Sequence, residues 1–165
     1  MRDLVLIGMP GSGKTTIGRL LEEKLNMGFF DSDFEVEKHE RLCIPEIFKN
    51  RGEEYFRKCE TEAISRLLKG NNIVATGGGA VLRDENLKLF KERDAFVVFI
   101  DRPVDMIVSD VQTENRPLLA KGRERVYTLY NERYEKYLEA CDARLINDKD
   151  AETAADEIIK LYKGE

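Results

Sequence analysis

The sequence predicts an α/β protein, a sandwich of helices on a parallel sheet, and three observations carry that expectation. Five short apolar runs, at 4–7, 29–30, 73–75, 95–100 and 143–146, alternate with segments of helical period. Residues 8–15 read Gly-Met-Pro-Gly-Ser-Gly-Lys-Thr, a complete G-x-x-x-x-G-K-T phosphate-binding loop directly after the first run. Polar or glycine-rich residues follow every run, as expected where ligands collect at the carboxyl ends of parallel strands.

Each element has its own warrant. Leu4-Val5-Leu6-Ile7 is apolar without alternation, which suits a strand buried on both faces. Ile17, Leu20, Leu21 and Leu25 recur at helical spacing, with Arg19, Glu22, Glu23 and Lys24 left for the wet side, so a helix is expected over 14–26. Further helices are expected near 34–40, 45–50, 52–69, 84–92, 103–109, 123–140 and 151–163. On the 52–69 helix, Ile64, Leu67 and Leu68 mark the buried side. A chain of 165 residues fits one domain with one sizeable core, and no repeat or linker divides it.

Composition excludes several classes. A net charge of −5 disfavours nucleic acid and membrane surfaces as partners. No run of 18 apolar residues exists to span a bilayer, and the first strand begins too early to leave room for a signal peptide. Cys43, Cys59 and Cys141 are scattered, odd in number and in no C-x-x-C spacing, which suggests reduced thiols in the cytoplasm. His39 is the only histidine and reads as a solvated helix residue, so histidine triads and His-cluster metal sites are excluded. No long exposed apolar stripe is evident, and a monomer is expected.

The loop dictates the first part of the chemistry. Gly8, Gly11 and Gly13 let the backbone aim N–H groups at phosphate oxygens, and the helix starting near Lys14 points its positive end at the same anion. Lys14 adds a point charge for the β- and γ-phosphates, and Thr15 offers a hydroxyl to Mg²⁺. Asp31 and Asp33 follow the second run. In an extended segment they would point to one side, where two carboxylates hold a metal ion or accept a proton from an attacking hydroxyl. The competing reading is that Asp31 or Ser32 caps the next helix. Asp101 ends an apolar run before Arg102-Pro103, which favours a cap for the following helix over a metal ligand. Gly77-Gly78-Gly79 weakens any regular element and is expected where the backbone closely approaches a ligand, beside the loop-bearing strand. Arg57, Arg116 and Arg133, taken singly, read as surface charges.

Taken together these residues resemble the shikimate kinase family from Leu4 to about Tyr162. The resemblance rests on the loop combined with Asp31-Ser32-Asp33, Glu46-x-Phe48, Gly52-Glu53-x-x-Phe56-Arg57-x-x-Glu60, Thr76-Gly-Gly-Gly79, Arg116-Pro-Leu-Leu119, and Arg133 followed by Tyr137. It implies phosphorylation of shikimate at its 3-hydroxyl by ATP with Mg²⁺, in the pathway to chorismate and aromatic amino acids. The implied fold is of the nucleoside-monophosphate-kinase type. It is a three-layer sandwich with a five-stranded parallel sheet, a lid at about 110–122 and a mobile substrate-binding region at about 32–60. ATP would lie on Gly11, Ser12, Gly13, Lys14, Thr15, Thr16 and Arg116. Shikimate would lie on Asp33, Arg57, Gly77, Gly78, Gly79 and Arg133, with the two arginines clamping its carboxylate. Thr15 and Asp31 would hold the metal. Lys14, Asp33 and Arg116 would be catalytic, Asp33 either as a base or as an orienting group and Arg116 as a lid arginine at the transferring phosphate.

One departure stands out. The family often has an arginine shortly before the lid that stacks on adenine, and here that stretch reads Val108-Ser109-Asp110-Val111. Adenine contacts are then either weaker or supplied by the loop Asn147–Asp150. Two rival readings compete: another small-molecule kinase, for gluconate or a nucleotide, and a GTP-dependent switch. The switch needs a D-x-x-G that this chain lacks.

Overall fold

The computed structural model describes the backbone of residues 1–113 and 119–165, with side chains described outside 111–121. Five strands, β1 (Leu4–Ile7), β2 (Gly28–Asp31), β3 (Asn72–Ala75), β4 (Phe96–Asp101) and β5 (Ala143–Ile146), form one parallel sheet in the order β2-β3-β1-β4-β5. β1 is central. Leu6 pairs with Ala75 on one side and Val98 on the other. All four β1 residues are buried, as a run without alternation requires when both faces are covered.

The period of two along each strand divides the core. Leu4, Leu6, Ile73, Val98 and Ile100 pack with Ile17 and Leu21 of α1 (Lys14–Leu25) and Ile158 of α8 (Ala151–Lys163). Val5, Ile7, Val74, Val97 and Phe99 face the other way. There they meet Ile64 and Leu67 of α4 (Glu53–Leu67), Phe90 of α5 (Asp84–Glu92), Ile107 of α6 (Val104–Thr113) and Tyr137 of α7 (Leu119–Ala140). Helices on both faces of the sheet give the expected three layers. A smaller cluster, Val36, Ile47, Phe56, Cys59 and Ala63, joins α2 (Ser32–Glu40) and α3 (Ile44–Arg51) to α4. All of it but Ala63 lies within the region 32–60 that the resemblance assigns to substrate.

Local chemistry explains the boundaries. Asp150 caps α8 by accepting from the Thr153 N–H at 2.8 Å, and Gly164 ends it in the left-handed region at φ 75°. Asp3 is buried, and its carboxylate accepts from the backbone N–H groups of Gly70 and Asn72, both at 2.9 Å, tying the entry of β3 to that of β1.

Three expectations need correction. α2 begins at Ser32, so Asp33 is helical and strand alternation does not place it beside Asp31. Asp31 is itself the cap, its Oδ1 accepting from the N–H groups of Asp33 (2.9 Å) and Phe34 (3.2 Å). Asp101 is not a cap, because α6 begins only at Val104. Asp101 is the buried last residue of β4, held by Arg144 (Nη2 at 2.7 Å, Nε at 2.9 Å) and by the Tyr130 hydroxyl at 3.0 Å. Finally, α6 runs past 109 to Thr113 and α7 starts at Leu119 rather than 123. Arg116 and the centre of the expected lid lie outside the described residues.

Candidate active site

A cleft of about 440 Å³ opens at the carboxyl ends of β1, β2 and β3. Residues 10–16 of the loop form one wall, and Asp31, Asp33 and Thr76–Gly78 form the other, with Arg102 and Asp110 at the rim. The loop leaves β1 and turns into α1 through Gly13 at φ 99°, a conformation that favours glycine. A Cβ there would also stand 2.8 Å from the Asn147 side-chain nitrogen, which donates to the Ser12 carbonyl at 2.8 Å. The segment after β5, expected near adenine, therefore braces the loop.

Lys14 is folded into the loop. Its Nζ donates to the carbonyls of Gly8 (2.7 Å) and Met9 (2.8 Å). Burial pulls its pKa down to about 8, against the opposing pull of Asp33 and Asp31. A cation held this way is poised to exchange carbonyl ligands for phosphate oxygens.

The second half of the site is built around Gly77–Gly79, adjacent to the loop because β3 pairs with β1. Ser32, buried between the two aspartates, accepts from the Gly77 N–H at 3.2 Å. A Cβ on Gly77 would stand 2.6 Å from Asp33 Oδ1 and 2.8 Å from Glu60 Oε2. One on Gly78 would strike Pro10 Cδ at 2.6 Å and lie 3.2 Å from Arg133 Nη1. One on Gly79 would fall onto the Arg57 guanidinium, 2.7 Å from Nη1. The glycine run is thus the floor on which Asp33, Arg57, Glu60 and Arg133 converge from α2, α4 and α7. The run is crowded by side chains, and it brings together Asp33, Arg57 and Arg133, the three charged residues that the resemblance assigns to shikimate.

Burial dominates the electrostatics of this floor. Arg57 is largely buried, with Nη1 donating to Glu60 Oε1 at 2.9 Å and Nη2 in an ion pair with Glu53 at 3.6 Å, so its reading as a surface charge is wrong. Burial lifts Asp33 to about 6, with Asp31 adding to the rise and Lys14 and Arg57 opposing it. Burial likewise lifts Glu60 to about 7, against Arg57. Asp33 Oδ1 and Glu60 Oε2 are buried and have no hydrogen-bond partner among the described residues. Unsatisfied buried oxygens of this kind are costly unless a ligand supplies donors. Tyr137 closes the floor from below. Its hydroxyl donates to the Gly78 carbonyl at 2.6 Å, and its ring stacks on Phe99 with centroids 4.9 Å apart.

In the sequence Glu60 and Tyr137 stand within motifs without a task of their own, Ser32 stands only as an alternative helix cap, Arg102 only as a sign of a helix start, and Asn147 only as part of a loop near adenine. A polar residue inside an apolar helix face was the available signal for Glu60. Nothing in the sequence ties Asn147 or Arg102 to the phosphate loop, since each meets it only through the fold.

Comparison with known proteins agrees with this geometry. The family model for shikimate kinase matches residues 10–163. A shikimate kinase of Clostridium botulinum (strain Alaska E43 / Type E3) is 44% identical over 157 residues, 94% of each chain. A shikimate kinase of Aquifex aeolicus is 39% identical over 98% of this chain and 96% of its own. Among solved structures, a shikimate kinase from Acinetobacter baumannii in complex with shikimate superposes with a TM-score of 0.90. It is 32% identical over 99% of this chain and 94% of that one. With a phosphate loop on the central strand, an acid-and-arginine floor beside it and these relatives along its whole length, the chain belongs to the shikimate kinase family.

Proposed function

We propose that this chain transfers the γ-phosphate of ATP to the 3-hydroxyl of shikimate, giving shikimate 3-phosphate and ADP. The observation that carries the reading is the meeting of Asp33, Arg57 and Arg133 over Gly77–Gly79, on a strand paired with the one that bears the phosphate loop. An acceptor with one carboxylate and several hydroxyls matches that set. Arg57 and Arg133 take the carboxylate through charge-assisted hydrogen bonds, and Asp33 receives a hydroxyl.

The step balances simply. The hydroxyl oxygen forms a bond to the γ-phosphorus, the bond to the β–γ bridging oxygen breaks, and ADP carries that electron pair away. The hydroxyl proton passes to the Asp33 carboxylate, or Asp33 orients the hydroxyl and the proton leaves with the product phosphate. Phosphoryl transfer asks mainly for positioning and charge, which Lys14, the backbone of 11–16 and, in this reading, Arg116 supply. The donor set also suits Mg²⁺: the Thr15 hydroxyl and the Asp31 carboxylate are hard oxygen ligands, and both residues line the cleft. When bound, the metal would neutralise charge on the β- and γ-phosphates.

The same proposal treats residues 1–165 as one kinase domain, with the substrate region near 32–60 and a lid near 110–122 that closes to exclude water. It places the chain in the cytoplasm as a monomer acting on small molecules. The three free cysteines support a reducing compartment. No helix among the described residues is long and apolar enough to cross a membrane. The test is ADP release from ATP and Mg²⁺ with shikimate, gluconate or quinate. Stimulation by shikimate alone is expected. Stimulation by gluconate instead, or by none of the three, would overturn the acceptor assignment.

A further inference from the structure

Arg102 lies outside every motif, yet it lines the same cleft as the phosphate loop. It follows β4 and precedes α6, and its side chain is only 18% exposed. Nη1 donates to the Gly11 carbonyl at 2.9 Å and to the Asp110 carboxylate at 2.5 Å. Gly11 is the middle of the loop. Among the described side chains lining this cleft, the cations are Lys14 and Arg102, set against Asp31, Asp33 and Asp110. A polyphosphate brings several negative charges to a cleft that Lys14 alone does not neutralise. A planar guanidinium matches phosphate oxygens as well as it matches a carboxylate, and Asp110 occupies it as an oxyanion would.

We propose that Arg102 is a nucleotide-binding residue of this chain, which exchanges Asp110 for the β- or γ-phosphate of the bound nucleotide. The proposal rests on the loop's reading as a nucleoside-triphosphate site. It gives the cleft a second cation among the described residues, one that approaches from the α6 side, opposite the acceptor floor. It also makes the Asp110 pair a rest position rather than a structural clamp.

Calorimetric titration of the whole chain with ATP, ADP and AMP, in Mg²⁺ and without acceptor, tests it. Arg102→Ala should raise the dissociation constants of ATP and ADP by about ten- to a hundredfold. It should leave AMP, which lacks the β- and γ-phosphates, almost unchanged. Arg102→Lys should fall between, keeping the charge and losing the fork. Asp110→Asn should keep or tighten ATP binding, because it releases the guanidinium. If Arg102→Ala does not fold, the Arg102→Lys and Asp110→Asn pair carries the comparison. Weakening by Asp110→Asn equal to that of the Arg102 variants would make the pair a clamp and overturn the proposal. Equal loss for AMP, or no loss for any nucleotide, would overturn it as well. Failure of the unaltered chain to bind ATP would instead remove the loop reading itself.

Discussion

Gly79 has an ordinary backbone, at φ −97°, so its lack of a side chain serves space alone. Arg57 fills that space. Gly79→Ala should therefore displace Arg57 and weaken shikimate affinity on the order of 10–100-fold, with ATP affinity kept. Gly78→Ala presses on Pro10 of the phosphate loop as well as on Arg133, so it should damage nucleotide and acceptor binding together. Separate titrations with ATP and shikimate would distinguish the two variants, and identical profiles would refute this division of the floor. Glu60 gives the pH counterpart. It is fully buried, facing Arg57 on its own helix, Asp33 on α2, Arg133 on α7 and the Gly77 backbone. Its folded pKa of about 7 stands above the ordinary 4.5, so the folded state carries no penalty below about pH 4.5. Between pH 4.5 and 7 the unfolded chain ionises while the buried group keeps its proton, so stability falls, and the loss is complete above about 7. Glu60→Gln should remove that fall, raising the ligand-free thermal midpoint at pH 8, by on the order of 3 kcal/mol in stability, and leaving it unchanged near pH 4. A variant no more stable than the parent at pH 8 would mean that the Arg57 pair outweighs burial.

At the scale of elements, local rules and packing disagree at Gly18. Helix propensity says that alanine in the middle of α1 should stabilise by up to about 1 kcal/mol. Packing says otherwise, since a Cβ there runs into the Phe29 ring of β2, with Phe29 Cζ at 3.0 Å. Packing should win: Gly18→Ala is expected to destabilise by about 1–3 kcal/mol, measurable by urea unfolding, and a gain in stability would show that Phe29 yields freely. The same contrast explains what the sequence could and could not say. The three inner strands β1, β3 and β4 were legible because continuous apolar runs signal burial on both faces, the edge strands β2 and β5 only through short apolar stretches followed by polar residues, and the loop because its spacing is chemistry. The start of α2 was misplaced because Asp31 caps from within its own strand end. Asp101 was misread because its partner, Arg144, arrives 43 residues later. Arg102 signalled only a helix start, because Gly11, its partner in the loop, lies 91 residues away. Arg57 looked like a surface charge for the same reason, its burial being set by Gly79 and Glu60 together.

The whole molecule is arranged around the central position of β1. The order β2-β3-β1-β4-β5 puts the proposed acceptor floor on one flank of the phosphate loop, after β3, and Arg102 and Asn147 on the other, after β4 and β5. Lys14 stands where the flanks meet, and the fold gains nothing from its charge. Burial lowers its pKa from 10.5 to about 8, so the folded state is penalised at pH 7 and the penalty fades only as pH rises from 8 toward 10.5. A group that weakens the resting fold at neutral pH is explained by what it does for a bound anion. Lys14→Met keeps much of the volume and removes the charge. It should leave the ligand-free thermal midpoint at pH 7 level or higher, despite losing the bonds to Gly8 and Met9. Phosphoryl transfer should fall on the order of 10³-fold, as for loss of a main charge-stabilising group. A large drop in midpoint would recast Lys14 as a brace for the loop. Transfer at the parent rate would sever the loop from the chemistry that the rest of the site is built to share.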